Sequence, residues 1–139
     1  MVIKIEIYEL LKAYSMQKKC FKPIYEKYYD ETSPCKESFA KFVSRTKKSS
    51  FQMYWIIHNS TKVGQIWIAT KNDTAILARL FVLPKYQNKG YATKAIIDIE
   101  KLYSNYKHWQ LDTIKEEKKN VHLAWQYLQI HFLQEISLF

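Results

Sequence analysis

Residues Thr74 to Tyr103 constrain this chain more than any other stretch: they read as an apolar strand, a short polar loop and an amphipathic helix. The strand is Ala75 to Leu83, and Pro84 ends it because proline has no ladder donor. The loop is Lys85-Tyr86-Gln87-Asn88-Lys89-Gly90. From Tyr91 onward, Ala92, Ala95, Ile96, Ile99, Leu102 and Tyr103 recur at i, i+3, i+4 spacing, with Lys94, Asp98 and Lys101 on the opposite side.

A loop that enters a helix directly after a strand is an anion site. The first backbone N–H groups of the helix have no partner within it, and the helix dipole is positive there. Gly90 lets the backbone approach a phosphate, the small Ala92 keeps the next turn open, and Lys85 and Lys89 add charge. No Gly-x-x-x-x-Gly-Lys-Ser/Thr run is present, which excludes a P-loop, and no Gly-x-Gly-x-x-Gly, which argues against a Rossmann dinucleotide site.

The stretch resembles the GCN5-related N-acetyltransferase (GNAT) superfamily. That family's pyrophosphate loop reads Gln/Arg-x-x-Gly-x-Gly/Ala, here Gln87-Asn88-Lys89-Gly90-Tyr91-Ala92. Phe81-Val82-Leu83-Pro84 is similar to the family's strand end, where a pantetheine arm pairs with backbone. The resemblance implies acetyl-CoA as cosubstrate and no metal. It implies binding along Leu80, Phe81 and Val82, at Gln87, Asn88, Lys89, Gly90, Tyr91, Ala92 and Thr93, and at Asn120. The alternative is an ordinary strand-loop-helix crossover.

A chain of 139 residues, 47% hydrophobic and 16% aromatic, fits one packed domain over residues 1–139. No apolar run approaches the ~20 residues that span a bilayer, and Met1 to Glu6 does not read as a signal peptide. Cys20 and Cys35 stand apart from any Cys-x-x-Cys or nucleophile motif, so free thiols in a reducing cytoplasm are expected. The net charge of +9 suits a polyanionic cosubstrate. It is nearly all lysine, with Arg45 and Arg79 the only arginines, which argues against a reader of nucleic-acid bases. His58, His108, His122 and His131 have no metal-ligand spacing.

In chain order, Val2 to Ile7 alternates as a strand. A helix runs from Glu9 to about Cys20, with Leu10, Leu11 and Tyr14 on one face, and Pro23 stops or bends it. The aromatics of Phe21 to Asp30 read as core, with the lining of an acceptor pocket as the alternative. Ser33-Pro34 opens a helix to about Thr46, with Phe39, Phe42 and Val43 inward. Phe51–His58 and Val63–Thr70 form a hairpin about Asn59-Ser60-Thr61-Lys62, and Lys71-Asn72-Asp73 turns into the central strand. Trp109 to Thr113 is a further strand, and Asn120 caps a last helix to about Gln129.

This order matches the GNAT arrangement. The fold expected is α/β (α+β), a mixed, mostly antiparallel central sheet flanked by helices. Within the superfamily the chain is most similar to short firmicute proteins, through Tyr25-Glu26-Lys27-Tyr28, Pro34 to Ser38 and Trp109 to Ile114. Only twelve residues follow Tyr127, room for one short strand at about Leu133 to Leu138. The usual C-terminal strand is therefore expected to be missing, leaving an edge for a homodimer to cover or a marginally stable monomer.

The chemistry implied is acetyl transfer to a primary amine by direct attack. Free amines have pKa values near ~10, so a base must take a proton. Asp112 is the first candidate, on the strand expected to splay from the central one; Glu116, Glu117 and His122 follow. A backbone N–H near Val82 is expected to stabilise the oxyanion, and Tyr127 to protonate the thiolate. Alternatives are an outward-facing strand carboxylate for Asp112 and a packing tyrosine for Tyr127. Counting from Asp112 instead places Ala124 at the tyrosine position, and His131 stands where the family's ending has glycine. Two other readings compete: a CoA-binding domain with weakened catalysis, and a basic nucleic-acid-binding module.

Overall fold

A computed structural model describes residues 1–29, 33–111 and 136–138. Its elements are β1 (Val2–Lys4), α1 (Leu10–Tyr28), α2 (Phe39–Arg45), β2 (Phe51–His58), β3 (Thr61–Lys71), β4 (Thr74–Val82), α3 (Tyr91–Leu102), β5 (His108–Leu111) and β6 (Ile136–Leu138). The strands form one six-stranded sheet in chain order. β1 to β4 pair antiparallel, and β5 and β6 add on parallel. This is the mixed, mostly antiparallel sheet expected. β6 is the edge strand, and no described strand lies beyond it. Among the described residues no helix is long and apolar enough to cross a membrane.

The sheet buries both faces, because its central strands are apolar on both. On one face Tyr54, Ile56, Ile66, Ile68, Leu80 and Val82 pack against Ala95, Ile96 and Ile99 of α3. On the other, Met53, Trp55, Trp67 and Phe81 meet Ala13 and Phe21 of α1 and Phe42 of α2. The β2–β3 hairpin closes on Asn59 and Ser60, both at positive φ (48° and 64°), as a two-residue type I′ turn requires.

Several local expectations are corrected. Pro23 lies inside α1, which continues to Tyr28 and ends with Tyr29 at φ 51°. Pro23 is solvent-exposed, so water can satisfy the carbonyl that its ring displaces, while Phe21, 1% exposed, anchors the helix. The helix expected from Ser33-Pro34 to Thr46 is two pieces, a 3-10 turn at Pro34–Lys36 and then α2. Glu37 is extended between them, because the Tyr14 hydroxyl donates to its carbonyl at 2.8 Å and Arg45 holds its carboxylate. Ser38 caps α2 through Lys41 N–H, which rotates Phe39 outward to 39% exposure. The first strand stops at Lys4; Ile7 opens a 3-10 turn at 82% exposure, and Leu11, expected inward, is exposed.

Candidate functional site

β4, its following loop and α3 form one continuous ledge. Leu83 N–H donates to Val63 O at 2.8 Å. Antiparallel ladders alternate, so Val82 turns its own N–H and C=O away from β3, toward the β5 side. β5 pairs with β4 over Thr74–Leu77. Immediately beyond, the β3–β4 register jumps from Ile68↔Leu77 to Trp67↔Arg79, leaving Ala78 as a bulge that bends β4. β5, described to Leu111, pairs with β4 as far as Leu77, where β4 bends, five residues short of Val82.

Two residues hold Val82 in place. Gly64 lies opposite it. A Cβ there would collide with the Phe81 carbonyl and lie 2.9 Å from the Val82 Cα, so only glycine allows this approach of the strands. Gln87 Nε2 donates to the Val82 carbonyl at 2.9 Å, folding the loop back onto the strand end.

The loop opens with a 3-10 turn at Pro84–Tyr86, passes through Asn88 at φ 64°, and reaches Gly90 at φ 83° as the N-cap of α3. A Cβ on Gly90 would meet nothing within 4 Å, so the helix mouth is open. Lys94 N–H is the first to close on the helix, onto Gly90 O at 3.1 Å. The N–H groups of Tyr91, Ala92 and Thr93 precede it, and among the described residues no side chain caps them. Lys85 and Lys94 extend over the rings of Tyr86 and Tyr91, adding positive charge beside these donors. Open donors, a positive helix end and lysines are the features that favour an anion.

Leu80, Phe81 and Val82 bury their side chains on alternate faces of the sheet, so what this strand can present to a ligand is backbone. Gln87, Asn88, Lys89 and Gly90 are exposed; Tyr91, Ala92 and Thr93 are half-buried. Asp112, Asn120 and Tyr127, with Glu116, Glu117 and His122, lie outside the described residues. Tyr103, at the far end of α3 from the loop, shares a hydrogen bond with the Tyr54 hydroxyl. Burial, and then the Tyr54 hydroxyl at 2.8 Å, push its phenol well above the usual range. Among the described residues no group of three His, Cys, Asp or Glu side chains could hold a metal ion.

Sequence reasoning missed a polar network under the other face of β4. Gln17 and Gln65 are fully buried. Gln65 donates to Ala13 O at 2.9 Å and accepts from Trp67 Nε1 at 2.9 Å. Arg79 Nη1 donates to Gln17 Oε1 at 2.6 Å, stacks on Trp67 and lies 3.7 Å from Glu37. Arg45 grips both Glu37 oxygens at 3.1 and 3.0 Å. The signal was present: in a chain whose cations are almost all lysine, both arginines converge on one carboxylate, where a planar fork fits and an ammonium does not.

The chain matches the acetyltransferase (GNAT) family over residues 7–126. It belongs to that family. The acetyltransferase matches no curated protein. Among solved structures it resembles PaiA N-acetyltransferase from Thermoplasma acidophilum, in complex with coenzyme A, at 21% identity and TM-score 0.61, over 75% of this chain and 71% of that one. It resembles spermidine N-acetyltransferase from Vibrio cholerae, in complex with CoA and spermine, at 17% identity and TM-score 0.65, over 91% and 78%. A protein from Clostridium acetobutylicum described as a predicted acetyltransferase, with acetyl-CoA, follows at 12% identity and TM-score 0.66, over 91% and 87%. At these identities the likeness is one of fold.

Proposed function

We propose that this acetyltransferase moves the acetyl group of acetyl-CoA to a primary amine by direct attack. One observation carries the reading: the uncapped N-terminus of α3 lies one short loop from Val82, whose backbone faces the β5 side. A diphosphate on the Tyr91, Ala92 and Thr93 N–H groups lets a pantetheine arm run along the end of β4 and bring the thioester alongside Val82. There the Val82 N–H is the donor for the oxyanion that forms as the amine nitrogen bonds to the carbonyl carbon. The C–S bond then breaks. Asp112 takes the amine proton directly or through water, and Tyr127 returns one to the thiolate; both roles rest on the family resemblance. The solved relatives crystallised with spermine and with the aminoglycoside sisomicin support an amine acceptor. That Cys20 and Cys35 are not joined in a disulfide suits a cytoplasmic setting.

The test is a panel of amines (polyamines, aminoglycosides, amino acids, peptide N-termini) incubated with acetyl-CoA and enzyme while free thiol is followed. Enzyme-dependent thiol release with one class, with acetyl found on its nitrogen, is the expected result. CoA binding without transfer to any amine would favour the weakened, CoA-binding reading instead.

A further inference from the structure

The helix mouth is open on the side where a ligand would sit, since a Cβ at Gly90 meets nothing within 4 Å. Whatever orders that first turn must act from elsewhere, and the β2–β3 hairpin supplies it. His58, the last residue of β2, stacks on Tyr91, the first residue of α3, with ring centroids 4.6 Å apart and planes tilted by 37°. The imidazole is itself held: the Asn59 side-chain amide meets His58 Nε2 at 3.2 Å. Asn59 is in turn fixed by the type I′ turn at the hairpin tip. Tyr91 passes the contact on to Tyr86, edge to face at 6.4 Å, in the 3-10 turn that begins the loop. One ring on the hairpin therefore braces both ends of the Lys85-to-Gly90 loop, although His58 precedes Tyr91 by more than thirty residues in the chain.

We propose that His58 is a positioning residue for the diphosphate donors. It holds the α3 N-terminus in its binding geometry before the ligand arrives, which lowers the ordering cost of binding. It touches neither acetyl group nor acceptor. The proposal rests on the reading of the α3 N-terminus as the diphosphate site.

The test is calorimetric titration of acetyl-CoA into the parent protein, His58→Ala and His58→Phe, with the melting temperature of each unliganded protein measured alongside. An aromatic contact of this kind corresponds to a loss of affinity of about three- to tenfold on truncation. His58→Ala should show that loss, and His58→Phe, which keeps a ring against Tyr91, should recover most of it. A merely structural role would lower the melting temperature of the alanine variant without rescue of affinity by phenylalanine. That outcome overturns the proposal, as does unchanged affinity in His58→Ala when the parent binds. Failure of the parent to bind acetyl-CoA is a separate result: it removes the diphosphate reading and the proposal with it.

Discussion

Gln87 Nε2 and the carbonyl oxygen of Val82 are 2.9 Å apart, a side-chain hydrogen bond that closes the loop onto the end of β4. The first residue of the family's loop motif thus acts here on protein backbone rather than on solvent. Such a bond contributes about 0.5–1.5 kcal/mol net. Gln87→Ala should therefore lower the stability of the unliganded protein by about that amount, and weaken acetyl-CoA binding by up to about tenfold because the ligand must then order the loop. If the amide instead competes with a pantetheine for the Val82 carbonyl, the alanine variant binds more tightly, and calorimetry distinguishes the two by sign.

Gly64 and Val82 face each other where β3 and β4 run too close for a Cβ. Gly64→Ala forces a methyl group against the Phe81 carbonyl, and backbone on one strand or the other must shift. Overpacking of this kind costs about 1–3 kcal/mol. The variant should unfold at lower urea concentration and lose acetyl-CoA affinity as well, since the displaced segment carries the Val82 N–H. Full stability in the variant would show that the strands separate at no cost.

Glu9 gives a pH prediction. The Lys62 ammonium, 2.6 Å from its carboxylate, and the Glu6 backbone N–H hold its pKa at about 2, against an ordinary 4.5. A lowered carboxylate pKa means that the unfolded chain binds more protons than the folded one between those values. The stabilisation is therefore complete above about 4.5 and lost as pH falls through about 2. In urea titrations from pH 7 to pH 2.5, Lys62→Met should be less stable than the parent at neutral pH, and the gap should narrow below pH 4.5. A constant gap would assign the effect to the packing of Lys62 over the Trp55 ring instead.

Much of the ledge was legible because its signals are local. Pro84 and Gly90 bound the loop, and the apolar spacing from Tyr91 marks α3, which runs from Tyr91 to Leu102, one residue short of the reading; Leu102, read on the apolar face, is exposed. The hairpin strand Phe51–His58 matches residue for residue, since a β-rich run and a polar turn delimit it. Pro23 misled because the local penalty of a proline is real, but it was outweighed by burial of Phe21 beside it. Glu37 breaks its helix through partners that are distant in sequence, Tyr14 and Arg79, which no local pattern reveals. The same is true of His58 on Tyr91 and of Gln87 on Val82: each needs the strand order before it can be seen. The roles given to Asp112, Asn120 and Tyr127 rest on the sequence reading and the family resemblance, as those positions lie outside the described residues.

The central claim is that the N-terminus of α3 holds the diphosphate of acetyl-CoA, and Gly90 is where it is most exposed to test. A ligand that binds only the folded protein raises its melting temperature, by about 2.7 kcal/mol of stability at a hundredfold excess over Kd. Gly90→Glu adds side-chain bulk and negative charge at the helix mouth, on a residue whose φ of 83° also disfavours any side chain. Gly90→Asn tolerates that φ and adds no charge. Thermal unfolding of all three proteins, with and without acetyl-CoA, is the deciding measurement. The account predicts a clear upward shift for the parent, a reduced one for Gly90→Asn and none for Gly90→Glu. A shift in Gly90→Glu equal to the parent's would contradict it and place the diphosphate elsewhere.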